Sequence, residues 1–532
     1  MCVLIPAAPR RLTTAVLAAA LAALVAVERP AQAATIDEIL GVTPGANYDR
    51  VGMNRVIDRL PVKHARLSTQ RLRQIWQFNA PPGTSNRDRV GPASGEWPLD
   101  RRMKEAFANG STPIINLISP PGFERNESNG HQITEIPDAG WYWIGRRFAE
   151  RYRPGSAWNQ QNTSSSFGAT TYMLFNEINA SWYNDFDPQL RRTTYENFAN
   201  VSGQFARGVR HGFGNQQGQA RVYMGPLTEA EVSVPNYDFS AEQFVKKVAD
   251  EGLFDPSNPN HLDGFGVHSY PATANSDAVR RSKMNVPAQV QRIKEHAGIE
   301  NVPLDFYNTE FNVELSSARN TNEIGASDED LAARMFFSQI WLNLAVANPG
   351  PSNASPPATV AALAFSPFPI GEGQWVSLSR YSSYPWRWIA DRPDNFRLNS
   401  WQPNRRGRAL QLAARLGQGM TIERVNTDLS LVVASGQGKK LWALNNLRGI
   451  TSLENNQGQT GLATNFELVG IPDGVTTVRV YYYDSVNGGS GFNNVANANR
   501  TINIANSSEY QNHRRFRVHD LRTDQTIVFV AE

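Results

Sequence analysis

Two glutamates follow apolar runs closely enough for their carboxylates to stand at strand ends. Asn176 and Glu177 directly follow one such run, and Glu310 closes another. A third apolar run ends in His268 and, two residues further on, Tyr270. The carboxyl ends of parallel strands meet at one edge of a sheet, where α/β proteins bind ligands. The spacing therefore predicts that these five side chains share one site.

Paired carboxylates in a cleft are the groups that glycosidic bond cleavage requires. One acid protonates the leaving oxygen and a second carboxylate acts at the anomeric carbon. A neighbouring negative charge raises the pKa of the acid, and His and Tyr side chains can orient both carboxylates. Each residue also has an ordinary interpretation: Glu177 as a helix cap, Glu310 as a salt-bridge partner, His268 as a core histidine. Their combination at the ends of three predicted strands favours catalysis.

The elements that carry these residues alternate between short β-branched runs and amphipathic helical stretches. Such alternation predicts βαβ units and a parallel sheet. About eight units between residues 34 and 418 predict a (β/α)8 barrel of the TIM type rather than an open sheet. By this count Glu177 ends strand four, His268 ends strand six and Glu310 ends strand seven. The predicted strands are 39–42, 63–67, 112–118, 171–175, 221–224, 262–268, 304–307 and 360–365.

Long loops follow several strands and predict a deep cleft on the face where barrel enzymes carry their sites. The longest are 79–98, 120–140 and 366–404. Aromatic faces stack on sugar rings, and Trp182 and Trp375 are the predicted substrate-binding aromatics. Glu229 and Glu231, after strand five, are the alternative carboxylates for the acid. The wider set of candidate stacking residues is Trp141, Trp143, Trp182, Tyr183, Trp375, Trp386 and Trp388.

The sequence pattern changes at about Gly419, beyond which predicted strands follow one another without helices between them. Gly, Asn and Asp turns separate these strands, which predicts an all-β domain, a sandwich, over 419–532. The run Tyr481-Tyr482-Tyr483 permits two interpretations. It could bind carbohydrate, or its members could alternate between the two faces of a sheet that packs on the barrel; the alternation is favoured.

The first 33 residues have the pattern of a secretory signal peptide. Arg10 and Arg11 precede a sixteen-residue apolar run, and Ala31-Gln32-Ala33 supplies a cleavage site. We therefore expect a secreted or periplasmic protein. Cleavage removes Cys2, the single cysteine of the 532 residues, which excludes disulfides and Cys-based metal sites from the mature chain.

Overall charge and hydropathy exclude other partners. The net charge is +3 without a basic block, so no nucleic acid partner is expected. No run after the signal reaches 18 apolar residues, so no membrane partner is expected either. The predicted partner is an oligosaccharide or polysaccharide substrate, bound by a monomer that needs no cofactor and no metal.

These motifs resemble those of clan A glycoside hydrolases, the retaining (β/α)8 glycosidases, and in particular family 39 and its relatives, which add a β-sandwich. The resemblance implies that Glu177, preceded by Asn176, is the acid/base and that Glu310 is the nucleophile. It also implies that His268 and Tyr270 support them, and that Arg66 at strand two contacts the nucleophile.

Three departures from the clan pattern affect the assignment of family and substrate more than the assignment of the catalytic carboxylates. Ile178-Asn179 stands where many members have Pro, and Phe365-Ser366 where many have Trp. The segment 114–119 lacks a histidine that some members carry on strand three. Two other functions remain open: a polysaccharide-binding protein without turnover, and a transglycosylase that uses the same carboxylate pair.

Overall fold

A computed structural model describes the chain from residue 34 to its end, with gaps. Residues 35–532 form one compact unit. Among the described residues, no helix combines the length and the apolar character needed to cross a bilayer. The expected signal peptide lies outside the described residues, which are 34–44, 63–69, 72–92, 95–108, 110–117, 135–179, 188–228, 240–273, 275–313, 326–346, 359–366, 390–391, 402–403, 405–426, 431–445, 463–468, 470–483, 498–504, 515–519 and 525–532.

Eight parallel strands close into a barrel in sequence order, with the eighth pairing back to the first. This confirms the predicted fold class. All eight predicted strands are present, with boundaries that differ by a few residues. The strands are β1 Leu40–Pro44, β2 His64–Ser68, β3 Thr112–Leu117, β4 Thr171–Leu174, β5 Arg221–Met224, β6 Gly264–Phe265, β7 Asp305–Phe311 and β8 Thr359–Ser366.

Helices surround the barrel and bury their apolar faces against its outer surface, because the strands offer a continuous apolar wall there. Capping residues set some helix ends: Ser240 and Gln243 form a capping box, and Gly298 ends a helix in the left-handed conformation. The helices are α1 Ile36–Ile39, α2 Asp100–Ala108, α3 Asp138–Tyr152, α4 Ala157–Asn162, α5 Pro188–Phe213, α6 Ala241–Asp250, α7 Asp277–Met284, α8 Val286–Ala297, α9 Ala326–Leu344 and α10 Arg405–Leu416.

The barrel interior is a packed core and not a pore, as is usual for this fold. Side chains that point inward from β3, β4, β5, β7 and β8 fill its middle. The polar side chains of the candidate site therefore stand above this layer, at the carboxyl ends of the strands. The interior cluster consists of Ile114, Met173, Tyr223, Tyr307, Ala361 and Leu363.

Strand β6 is much shorter than the predicted 262–268. Only Gly264 and Phe265 pair as a strand, and beyond them Val267 and Ser269 make isolated bridges. A side chain at Gly266 would overlap the carbonyl oxygen of Tyr307, so only a glycine fits this close approach to β7. His268 consequently lies beyond the end of the strand.

The described residues of the C-terminal part are all-β, as predicted. The strands beyond the barrel are β9 Ala390–Asp391, β10 Gln402–Pro403, β11 Thr421–Asn426, β12 Leu431–Gly436, β13 Lys439–Asn445, β14 Ala463–Glu467, β15 Thr477–Tyr481, β16 Arg500–Asn503, β17 Arg515–His519 and β18 Thr526–Ala531. The larger C-terminal sheet is antiparallel with the order β11-β12-β13-β18-β15-β16, and β14 pairs with β17 in a second sheet. A small two-stranded sheet, β9 with β10, precedes α10.

One face of the larger sheet packs on α9 and α10 of the barrel. Trp341 and Leu410 from the helices share a buried cluster with Leu441 of the sheet. Tyr481 and Tyr483 are buried in the same cluster, whereas the intervening tyrosine packs on the opposite face. The tyrosines thus alternate between faces and contribute to packing, and the carbohydrate-binding interpretation is wrong for the two buried ones.

Candidate active site

The turn after β4 places the first glutamate. The strand ends at Leu174 because Phe175 and Glu177 both adopt the left-handed conformation, with φ of 69° and 49°. This conformation costs a residue with a Cβ about 1–2 kcal/mol, and such outliers cluster at functional sites. The Glu177 N–H donates to the carbonyl of Pro226 over 2.7 Å, which ties the turn to the end of β5.

A glycine at the end of β5 lets that strand approach the turn closely. A side chain at Gly225 would overlap the carbonyl oxygens of Leu174 and Phe175. Asn179, which stands near the position where clan members have Pro, accepts a hydrogen bond from the Thr228 N–H over 3.0 Å. The asparagine at this departure from the clan pattern therefore has a structural role, because its hydrogen bond links the turn to the loop after β5.

An irregularity in β7 places the second glutamate. The register of β7 against β8 shifts between Asn308 and Phe311. In a regular strand Thr309 and Glu310 would face opposite sides, but here both side chains reach the site. The Asn308 side chain accepts from the Glu310 N–H at 3.0 Å and donates to Asn343 of α9 at 2.7 Å.

Hydrogen bonds from surrounding side chains hold each of the two glutamates, and His268 lies between them. Nδ1 of His268 lies 2.7 Å from Oε1 of Glu177 and 3.8 Å from Oε2 of Glu310. The Tyr270 hydroxyl donates to Oε2 of Glu310 over 2.7 Å. One guanidinium N–H of Arg66 donates to Oε1 of Glu310, and another donates to the side-chain oxygen of Asn176. One oxygen of each carboxylate and a ring nitrogen of the histidine lie within 4.8 Å of one another.

Burial controls the charge of these groups. Desolvation raises the pKa of Glu177 from 4.5 to about 7, against the opposing effect of the Arg66 cation. Desolvation lowers the pKa of His268 from 6.5 to about 3. Burial, followed by the charges of Glu310 and Glu177, raises the pKa of Tyr270 well above 10.0. Near neutral pH the site thus holds a neutral imidazole, a neutral phenol and a partly protonated Glu177.

The same side chains include potential metal ligands. Glu177, His268 and Glu310 each offer one ligand atom of types that zinc accepts. The Arg66 guanidinium, however, contacts Glu310 directly and places a positive charge beside the position that a cation would take. The arrangement therefore fits acid–base chemistry with organic substrates better than cation binding.

Six of the eight predicted site residues lie together, and they come from four different strand ends. The other two, Trp182 and Trp375, lie outside the described residues. The remaining predicted aromatics and spare carboxylates also fall there, except for two tryptophans of α3. The residues brought together are Arg66, Asn176, Glu177, His268, Tyr270 and Glu310.

The two α3 tryptophans do not belong to this network. Trp141 is fully buried on the outer side of the barrel, where its ring meets Phe175 edge to face at 5.6 Å. The prediction that Trp141 stacks on a sugar is wrong, because its ring is buried in the core between the helices and the barrel wall. Trp143 is half-buried, and the Arg146 guanidinium covers its ring at 4.9 Å from the centroid.

The sequence analysis missed Thr309, whose hydroxyl lies 2.9 Å from Nε2 of His268. It also missed Thr43 of β1, whose hydroxyl donates to the Thr309 carbonyl. Period-two alternation assigns Thr309 to the opposite side from Glu310. Only the register shift in β7 reveals that both reach the site, and no local sequence signal marks that shift.

Comparison with known proteins places the fold. No family profile matches the chain, and no curated protein sequence does. Solved structures do match. BuGH86 in complex with neoagarooctaose is 12% identical with a TM-score of 0.53, over 94% of this chain and 75% of the other. The family 51 α-L-arabinofuranosidase AbfB from Bifidobacterium longum is 10% identical with a TM-score of 0.50, over 94% and 97%. The chain shares the fold of glycoside hydrolases.

A third glycosidase of known structure belongs to family 39, a β-xylosidase from Caulobacter crescentus. It is 13% identical with a TM-score of 0.46, over 94% of this chain and 98% of the other. The two matches with TM-scores of 0.53 and 0.50 confirm the expected resemblance to clan A barrels at the level of the fold. A shared fold does not by itself fix the chemistry, which depends on the residues of the site.

Proposed function

We propose that this protein is an exported, retaining glycoside hydrolase that cleaves O-glycosidic bonds of an oligosaccharide or polysaccharide. The observation that carries the proposal is the pairing of Glu177 with Glu310 across one hydrogen-bonded site. One oxygen of each carboxylate lies within 4.8 Å of the other. Retaining enzymes hold the two carboxyl groups about 5–5.5 Å apart, and inverting enzymes about 6.5–9.5 Å apart.

The first step divides the work between the two glutamates. With a pKa of about 7, Glu177 is protonated at mildly acidic pH and can donate its proton to the glycosidic oxygen. Glu310, oriented by the donors of Arg66 and Tyr270, attacks the anomeric carbon. The bond from that carbon to the glycosidic oxygen breaks, and the leaving alcohol departs with the proton.

The second step reverses the roles of acid and base. Glu177, now a carboxylate, takes a proton from water while the water oxygen attacks the anomeric carbon. The bond to Glu310 breaks, and two inversions give net retention. Asn176 accepts from Arg66 through its side-chain oxygen, so its amide nitrogen is the group that we assign to a sugar hydroxyl.

The proposed substrate class and the proposed export of the protein are supported by different observations. The structural neighbour solved with neoagarooctaose supports an oligosaccharide ligand. Export rests on the basic residues, apolar run and cleavage motif of residues 1–33.

The test is a panel of aryl glycosides and polysaccharides with two variants, Glu177→Ala and Glu310→Ala. Glu177→Ala should still react with activated aryl glycosides, and azide should restore turnover with retained configuration. In Glu310→Ala, azide should attack the sugar directly and give inverted product. Proton NMR of the products assigns the configuration, and Glu251→Ala at an exposed position is the control. Near wild-type activity in either site variant would remove that glutamate from the mechanism.

The same panel separates the other two functions. Saccharide binding without any turnover, unchanged in Glu310→Ala, would indicate a polysaccharide-binding protein. Products longer than the substrate in the presence of acceptor sugars would indicate a transglycosylase.

A further inference from the structure

Thr309 is fully buried, and its hydroxyl makes a single hydrogen bond to the described residues, over 2.9 Å to Nε2 of His268. The other ring nitrogen, Nδ1, lies 2.7 Å from Oε1 of Glu177. The imidazole thus stands between a hydroxyl that can donate or accept and a carboxyl group that can be protonated or ionised.

The surroundings keep this imidazole neutral. Burial lowers the pKa of His268 to about 3. The charged and titratable groups that face it are Glu177 after β4, Glu310 on β7, Arg66 on β2 and, beyond β6, Tyr270. A neutral ring carries one N–H, so only two tautomers are available.

The two tautomers differ in how many buried groups they satisfy. If Nε2 carries the hydrogen, it donates to the Thr309 oxygen, and the hydroxyl hydrogen finds no acceptor among the described residues. If Nδ1 carries the hydrogen, it donates to Glu177 and the Thr309 hydroxyl donates to Nε2. The second arrangement leaves no buried donor unpaired, and an unpaired buried donor is costly.

We infer that Thr309 is a positioning residue that keeps the imidazole hydrogen of His268 on Nδ1 and thereby assigns the acidic proton of Glu177 to Oε2. Oε1 accepts from Nδ1 and is unavailable to that proton. Oε2 accepts no hydrogen bond from the described residues, and the Glu177 side chain keeps 9% of its surface exposed. The proton is thus held on the oxygen that makes no hydrogen bond to the described residues and is available to a leaving group. The catalytic part of this inference rests on the proposed glycosidase function.

The backbone holds Thr309 in the position that this role requires. The Thr43 hydroxyl of β1 donates to the Thr309 carbonyl. On the other side, the Asn308 side chain is fixed to α9 and to the N–H of Glu310. Removal of the Thr309 hydroxyl alone should therefore leave the strand in place.

The experiment compares Thr309→Val, which keeps the shape but loses the donor, with Thr309→Ser, which keeps the donor. The first measurement is the ring 15N shifts of His268 in protein labelled at its 8 histidines, assigned with a His268→Gln variant. Wild type and the serine variant should show hydrogen on Nδ1 only, and the valine variant, which has no hydroxyl to pair with Nε2, should lose this preference and show both tautomers. Hydrogen on Nε2 or on both nitrogens in the wild type near neutral pH would overturn the inference, whatever the variants do.

The second measurement is kcat/KM for aryl glycosides of different leaving groups. General acid catalysis contributes roughly 10²–10⁴-fold, so Thr309→Val should lose about tenfold or more with poor leaving groups and less than about threefold with activated ones. Equal losses for both, or no restoration by serine, would reduce Thr309 to a packing residue. If wild type cleaves no glycoside but the NMR result stands, the proposed function fails while the tautomer assignment survives.

Discussion

Replacement of Glu177 by glutamine should stabilise the protein in a pH-dependent way. Burial raises the pKa of this carboxyl from 4.5 to about 7. Below 4.5 the group is neutral in both the folded and the unfolded chain. As pH rises from 4.5 through 7, only the folded chain retains the proton, and wild type progressively loses this contribution to its stability. Glutamine cannot ionise and loses nothing.

The size of the effect follows from the same two values. The difference between 4.5 and about 7, at about 1.4 kcal/mol for each tenfold step in the protonation equilibrium, amounts to about 3 kcal/mol. Because the side chain is only 9% exposed, solvent screening reduces this little. His268, with a pKa of about 3, stays neutral throughout the window and does not mask the change.

The assay is the melting temperature of Glu177→Gln relative to wild type, measured from pH 4.5 to pH 8.5. The difference should grow with pH and level off above about 8, at a few degrees in favour of glutamine. Glu251→Gln at an exposed position is the matched control, and its difference from wild type should be constant. A flat Glu177→Gln difference would refute the claim that this carboxyl is desolvated in the folded chain.

Three further predictions concern the mechanism and the packing of the domains. The kcat/KM for glycosides with poor leaving groups should fall about tenfold per pH unit above pH 7, because Glu177 loses its proton there. Activated substrates should show a weaker decline. Identical pH profiles for the two kinds of substrate would contradict the role of Glu177 as the acid. Arg66→Lys should lower kcat about 10²-fold with a smaller effect on KM, because an ammonium cannot bridge Glu310 and Asn176 as the guanidinium does. The measurement is steady-state kinetics, and an unchanged kcat would exclude Arg66 from positioning the nucleophile. Removal of residues 420–532 should lower the melting temperature or solubility, because it exposes the apolar faces of α9 and α10; a soluble barrel that melts as the full chain does would contradict this.

Much of the architecture was accessible from local sequence patterns. Apolar runs and helical periodicity depend on residues close together in the chain, so all eight barrel strands and most of their helices were predictable. The convergence of Glu177, His268 and Glu310 was predictable as well, since parallel strands bring their carboxyl ends to one face.

Local sequence patterns were thus enough to predict the barrel, the β domain and the six residues that meet at one site. How these residues act together depends on contacts between segments that are distant in the chain. The chain beyond β6 runs close to β7 at Gly266, and the register of β7 shifts where Thr309 and Glu310 both reach the site. The protonation of Glu177 depends on water being excluded by segments far away in sequence, and its histidine partner is 91 residues distant. Hydrophobic period is a local property, whereas register, desolvation and hydrogen-bond partnership arise only when distant segments pack together.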